Sequence, residues 1–223
     1  MKSICLIFVY SLIASVSFTQ NTEVWVGANY NKYFESGDKD SHVLTANKPG
    51  FGYCLGVTFK SCQENWSPMR FSVFIDNYRG TIDNGFYGLG GSTSIYAEVE
   101  KTTFGVGFLP VNFKILKRVD LSLGGEARIR IYDRTSGYKA WRIGPDSFSK
   151  NLTDYPYSIH KGFFFGVCGK IGYDFLMPAN WTLSPQYKFY YGLTEEFKNT
   201  DFNTKSLRHY ILIGMYRTLT NNG

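Results

Sequence analysis

The sequence predicts an all-β fold, an eight-stranded antiparallel up-and-down transmembrane β-barrel. Three observations predict it. First, aromatics make up 18% of the 223 residues and glycine numbers 23, while only 19% are charged. Glycine and aromatics are weak helix formers, and aromatic and β-branched side chains suit a pleated surface. Second, apolar and other residues alternate with period two, in segments close to the roughly 9–11 residues that a tilted membrane strand needs. Third, the connections between these segments alternate in length, as short turns on one side of a membrane and long loops on the other would require.

In chain order, the first feature is a secretory signal. Met1-Lys2-Ser3 is a basic start, Ile4 to Val16 is apolar and uncharged, and Ser17-Phe18-Thr19 supplies small residues for cleavage before Gln20. The apolar run is too short to span a bilayer as a helix. Residues 1–19 are therefore expected to be removed, leaving 20–223 as one barrel domain. Cys5 lies too early in the apolar run to carry a lipid anchor.

Eight strand segments follow. Glu23 to Tyr30 opens the mature chain. In Gly50 to Phe59, Phe51, Tyr53, Leu55, Val57 and Phe59 oppose Gly52, Cys54, Gly56 and Thr58. In Met69 to Asp76, Phe71, Val73 and Ile75 oppose Arg70, Ser72 and Asp76. Ser94 to Ile115 shifts parity near Pro110, which predicts a bulge there. Val119 to Tyr132 sets Leu121, Leu123, Ala127 and Ile129 against Asp120, Glu126, Arg128 and Arg130. Gly162 to Phe175 sets Phe163, Phe165 and Ile171 against Cys168, Lys170 and Asp174. Trp181 to Leu193 sets Tyr187, Phe189 and Tyr191 against Gln186 and Lys188, and Leu207 to Leu219 closes the chain with either face outward. Lys60 to Pro68, Lys117-Arg118 and Met177 to Asn180 are the short connections. Asn31 to Pro49, Asn77 to Thr93, Asp133 to Lys161 and Thr194 to Ser206 are expected to be long polar loops.

Period-two alternation also describes a soluble barrel, with its apolar faces inward. The bulky faces here argue otherwise, because an eight-stranded interior is narrow and suits glycine and small residues. Trp181, Tyr187, Tyr191, Tyr53 and Tyr30 also fall near strand ends or in the outer half of strands, where aromatic girdles form.

The inward faces then carry Arg70, Asp76, Glu126, Arg128, Arg130, Lys170, Asp174 and Lys188. Charges in a narrow lumen must pair, so these eight are expected to form a salt-bridge network that plugs the barrel. The alternative is a polar channel. Tyr138, Trp141, Phe148, Tyr155 and Tyr157 lie in the long Asp133 to Lys161 connection. They are expected to form a binding surface, to pack on neighbouring loops, or to mark strands that project beyond the membrane.

No catalytic, cofactor or metal residue stands out. The cysteines left after cleavage, Cys54, Cys62 and Cys168, make no zinc pattern and no even disulfide set. His42, His160 and His209 are expected to be solvated or near strand ends. Ser41-His42, or Ser158 to His160 with Asp154, could serve lipid chemistry only if geometry assembled them. The formal net charge of +6 becomes +5 without Lys2 and is scattered, so no nucleic-acid partner is expected. Outer-membrane lipid is the expected surrounding.

Four stretches stand out together: the signal ending Ser17-Phe18-Thr19-Gln20, Phe104-Gly-Val-Gly-Phe-Leu-Pro-Val-Asn-Phe-Lys, Leu116-Lys-Arg-Val-Asp-Leu-Ser-Leu-Gly-Gly and the closing Ile213-Gly-Met-Tyr-Arg. On these the chain resembles the small outer-membrane β-barrels of Bacteroidetes, the PorT-like or outer-membrane-protein β-barrel family. Such barrels often end on an aromatic, whereas this chain continues past Leu219 to Gly223. The resemblance implies a bacterial outer-membrane location and little about activity; the barrel assembly machinery and an envelope protein complex are the candidate partners. The expected role is structural or surface-interacting, without enzymatic activity. A lipid-modifying or lipid-handling barrel and a soluble lipocalin-like binder are the alternatives.

Overall fold

The computed structural model describes residues 22–35, 43–60, 69–88, 91–115, 118–152, 160–197 and 204–217. Eight long strands make the wall: β1 (Thr22–Glu35), β3 (Lys48–Lys60), β4 (Arg70–Gly88), β5 (Gly91–Ile115), β6 (Val119–Ile143), β8 (Phe163–Tyr173), β10 (Trp181–Gly192) and β11 (Thr204–Arg217). Three short strands accompany them. β2 (Val43–Thr45) pairs with β4, β7 (Asp146–Asn151) with β6, and β9 (Phe175–Leu176) with β10.

Each long strand pairs antiparallel with the next along the chain. β11 returns to pair with β1, with Val26 opposite Ile213, so the sheet is a closed ring of eight. Closure matters because hydrocarbon offers no partner for a free strand edge.

The outward face is apolar. Val26, Leu55 and Ile213 share one cross-strand row, and all three are exposed. Phe71, Phe108, Phe163, Phe165 and Ile171 are exposed as well, while Arg70, Asp76, Glu126, Arg128 and Lys188 are buried inside. This is the reverse of a soluble binder, which would bury its apolar side. A closed barrel with an even strand count and an outward apolar band is the build of a bacterial outer-membrane protein. The outward face of β11, open in the sequence, is Ile211, Ile213 and Met215, with Arg208, Tyr210 and Leu212 inward.

The bulge expected at Pro110 is present. The β5–β6 register shifts between Phe108 and Val111, which moves Val111 and Phe113 to the outer face. The three short connections lie at the end that holds Thr22 and Arg217. The third of them turns through Pro178–Asn180, with Ala179 and Asn180 both at positive φ (60° and 61°).

Two expected loops are corrected. The described residues of Asn77 to Thr93 and Asp133 to Lys161 are largely strand. β4 continues to Gly88, β5 begins at Gly91, β6 runs to Ile143 and turns into β7. Above the bilayer the outer face meets water rather than lipid. The alternation therefore inverts there, with Ile82, Ile95, Ala97 and Val99 buried inside and Arg79, Glu98 and Arg134 turned outward, while the backbone ladder continues. The result is a sheet of β2, β4, β5, β6 and β7 that projects past the apolar band.

Inward glycines make the narrow lumen fit. A Cβ on Gly56 would lie 2.4 Å from the Trp25 ring and 2.6 Å from Phe74, and one on Gly105 would lie 2.2 Å from the Phe74 ring.

Candidate functional site: the lumenal charge column and the projecting sheet

Inward charges stack in three tiers. At the short-turn end, Arg70 pairs with Asp120, both buried. Glu23 lies 3.4 Å from Lys60 and 3.7 Å from Lys170, and accepts a hydrogen bond from Gln186. Asp174 accepts from the Tyr216 hydroxyl at 2.9 Å and lies 3.6 Å from Lys114.

The middle tier is centred on Arg128. Its guanidinium donates to Glu126 at 2.6 Å and pairs with Asp76, and it lies 4.3 Å over Tyr190 and 4.9 Å over Phe74. Lys188 reaches Glu126 at 2.5 Å. Asp76 also accepts from the Tyr210 hydroxyl at 2.8 Å and from Asn29 at 2.5 Å. These charges are removed from water, so their desolvation cost is offset only by near-complete pairing. Beneath this tier the void lined by Trp25, Thr58, Ser72, Leu109, Glu126 and Lys188 measures about 10 Å³.

The outer tier is closed by the segment that follows β10. Glu196 is fully buried and accepts from Tyr78 at 2.8 Å, from Lys101 at 3.1 Å, and from Ser206 and Arg208. The Arg208 guanidinium stacks 3.7 Å over Tyr78 and its Nε donates to Asn31 at 3.1 Å. Phe197 packs on Tyr33 and His160, with ring centroids 5.1 Å and 5.0 Å away. Burial alone would raise the Glu196 pKa, but Arg208 and Lys101 and the hydrogen bonds from Ser206 and Tyr78 hold it down to about 2.

Seven of the eight sequence-selected charges are buried in this column. Arg130 is half-buried at the outer mouth, where it donates to the His160 carbonyl at 3.0 Å and lies 3.4 Å from Asp133. The eight selected charges left out Glu23, Asp120, Lys101, Glu196 and Arg208. Arg208 lies in the closing segment, whose outward face was open, Lys101 in the segment whose parity shifts near Pro110, and Glu196 in an expected loop. Alternation within Val119 to Tyr132 did place Asp120 on the inner face.

His160 corrects the expectation of a solvated loop histidine. It is fully buried, its Nε2 is 2.8 Å from the Thr135 hydroxyl, and burial with the Lys101 and Arg130 charges lowers its pKa to about 2. His209 is half-buried on the outer face, 2.5 Å from the Tyr187 hydroxyl. With Tyr30 and Phe51 it forms part of an aromatic girdle. His42 lies outside the described residues.

Of the expected aromatic binding residues, Tyr138 and Trp141 stand on β6 and Phe148 on β7, so these three occupy strands rather than a loop. Tyr138 stacks on Tyr96 and Trp141 on Phe148, each pair 5.9 Å between centroids. The two pairs lie on opposite faces of the projecting sheet, because Tyr138 and Trp141 differ in parity. Tyr155 and Tyr157 lie outside the described residues. Among the described residues no group of three or more His, Cys, Asp and Glu could hold a metal ion. Cys54 and Cys168 are free thiols buried on the inner face.

The chain is similar to small outer-membrane barrels. Neisserial surface protein A matches with 14% identity over 89% of this chain and 97% of its own, at a TM-score of 0.41. Ail, the attachment invasion locus protein of Yersinia pestis, matches with 14% identity over 89% and 99%, at 0.34. The outer membrane protein OprG of Pseudomonas aeruginosa matches with 10% identity over 88% and 95%, at 0.39. No family model and no curated protein matches the sequence.

Proposed function

We propose that this chain is a closed outer-membrane barrel with a structural or surface-interaction role, its lumen plugged by paired charges and its binding surface on the projecting sheet. The observation that carries the reading is the central ion-pair column of Asp76, Arg128, Glu126 and Lys188. Paired charges of both signs, wedged by Phe74, Tyr190 and Tyr210, favour a packed post over a water-filled bore. The eight-stranded ring is narrow enough for side chains to fill it.

The proposed surface is the sheet of β4 to β7, with Tyr138 and Phe148 exposed upon it. Exposed aromatics above a membrane suit recognition of an envelope or external partner. No residue is assigned a catalytic role. Within the same proposal, residues 1–19 are a cleaved export signal, and the barrel assembly machinery inserts the mature chain. The resemblance to Bacteroidetes barrels stands on the quoted sequence pattern alone.

Planar-bilayer recording of the refolded barrel tests the plug. Silent membranes, or rare brief openings, are expected. A steady large conductance would overturn the plugged reading and restore the channel.

A further inference from the structure

The outward face of the wall changes character just above the apolar band. Ile75, Phe104 and Ile129 are cross-strand partners in the last fully apolar row of β4, β5 and β6. The next row on this face is Asn77, Thr102 and Tyr132, and the one after it is Arg79, Glu100 and Arg134. Two cationic side chains thus stand one polar row above the hydrocarbon, facing away from the lumen. A tyrosine below them marks the interface. They border a groove of about 490 Å³ whose lining includes Gly50, Thr81, Glu98 and Ser136. That is within the size range of ligand clefts, roughly 300–1,000 Å³.

The charges in the groove are not equivalent. Arg79 lies 3.2 Å from Glu100, which also accepts from Asn77 at 3.5 Å. Glu98 accepts from the Tyr96 hydroxyl at 3.2 Å. Among the described residues Arg134 has no ion-pair partner, and it is exposed. Both carboxylates are therefore already engaged by donors, while Arg134 retains its whole fork and Arg79, two strands away in the same row, is paired with Glu100 between them. A guanidinium fork matches phosphate oxygens in a bidentate way. The Thr81 and Ser136 hydroxyls add neutral donors.

We propose that this groove seats the phosphorylated headgroup of an outer-leaflet lipid, with Arg134 and Arg79 on the phosphate and the acyl chains descending over Phe104 and Ile129. The assignment rests on the membrane reading and on the projecting sheet facing outward from the cell. The groove's height selects a lipid over a soluble anion, because the apolar row that receives the tails begins directly beneath it.

The test uses the full mature barrel refolded in dodecylphosphocholine, with folding verified by a heat-modifiable gel band. Diphosphoryl lipid A is titrated while the thermal midpoint of that band is followed. A concentration-dependent rise is expected, with apparent affinity at least about tenfold weaker in the R79A/R134A double variant, since each lost charge-assisted contact is worth about one decade. The R142A variant, on the projecting sheet but outside the row, should behave as wild type. Inorganic phosphate and dephosphorylated lipid A should leave the midpoint unchanged. An equal rise in the double variant, a rise with inorganic phosphate alone, or no rise in the folded wild type would each overturn the proposal. Absence of a heat-modifiable band would instead sink the membrane reading itself.

Discussion

Lys101 and Glu196 meet 3.1 Å apart with both side chains fully buried. Lys101 belongs to the wall strand β5, and Glu196 to the segment that follows β10, so the pair pins a loop segment into the mouth of the barrel. Removing one partner leaves a buried charge without compensation, which typically costs about 3–5 kcal/mol. Glu196→Ala is therefore expected to lower the unfolding free energy by about that amount, measured by urea titration in lipid vesicles. Lys101→Ala should cost a similar amount. The double variant should cost less than the sum, because the two changes break one interaction.

The same mouth carries a pH dependence. Glu196 titrates near 2 in the folded chain and near its ordinary 4.5 when unfolded, so its contribution is complete above 4.5 and is lost as pH falls toward 2. His160 is held neutral, its folded pKa of about 2 lying below the ordinary 6.5, so the unfolded chain binds the extra proton first. Its contribution declines as pH falls below 6.5. Both signs agree: the capped mouth should weaken from pH 6.5 downward and fastest below 4.5. Amide exchange at Glu196 and Phe197 against pH would reveal this. Protection that stays flat from pH 7 to 3 would contradict it.

Gly56 makes room for the rings inside. A side chain there would collide with Trp25 and Phe74. Gly56→Leu should destabilise by about 1–3 kcal/mol, or more if the strand shifts. Gly125 faces outward and has nothing closer than 3.6 Å to a Cβ. Gly125→Leu should therefore be tolerated, and a refolding-yield comparison of the two variants separates inner from outer positions.

On the lipid face, Ile213 pairs with Val26 and Pro185 in the middle of the apolar band. Ile213→Arg is expected to cost about 2–4 kcal/mol in bilayers. In a water-exposed wall the same change would be nearly neutral. A vesicle-based unfolding measurement that found no cost would argue against lipid contact at this row.

Much of this architecture was legible from period-two alternation. In Gly50 to Phe59 and Trp181 to Leu193 the apolar and small or polar faces differ at nearly every step, and those strands appear with their faces as expected. The parity break at Pro110 is visible because one extra residue exchanges faces. The projecting halves of β4 and β6 were not legible, although Ser94 to Ile115 was expected as strand and β5 covers it. Near the apolar band alternation encodes lipid against lumen, whereas above it the apolar side turns inward, as with Ile95, Ala97 and Val99 between Tyr96, Glu98 and Glu100, so a pattern of outward apolar faces does not carry over.

The sequence by itself determined the strand segments of the apolar band, the lipid-facing side of those with clear alternation, and the inward placement of Asp76, Glu126, Arg128 and Lys188. Only the tertiary structure decided the partners. Asp76 receives Tyr210, 134 residues away, and Tyr78 donates to Glu196, 118 residues away. Pairing across a barrel depends on ring closure, stagger and the fold of the segment over the mouth. A pattern of local periods records which way each side chain points, and carries no information about what stands opposite.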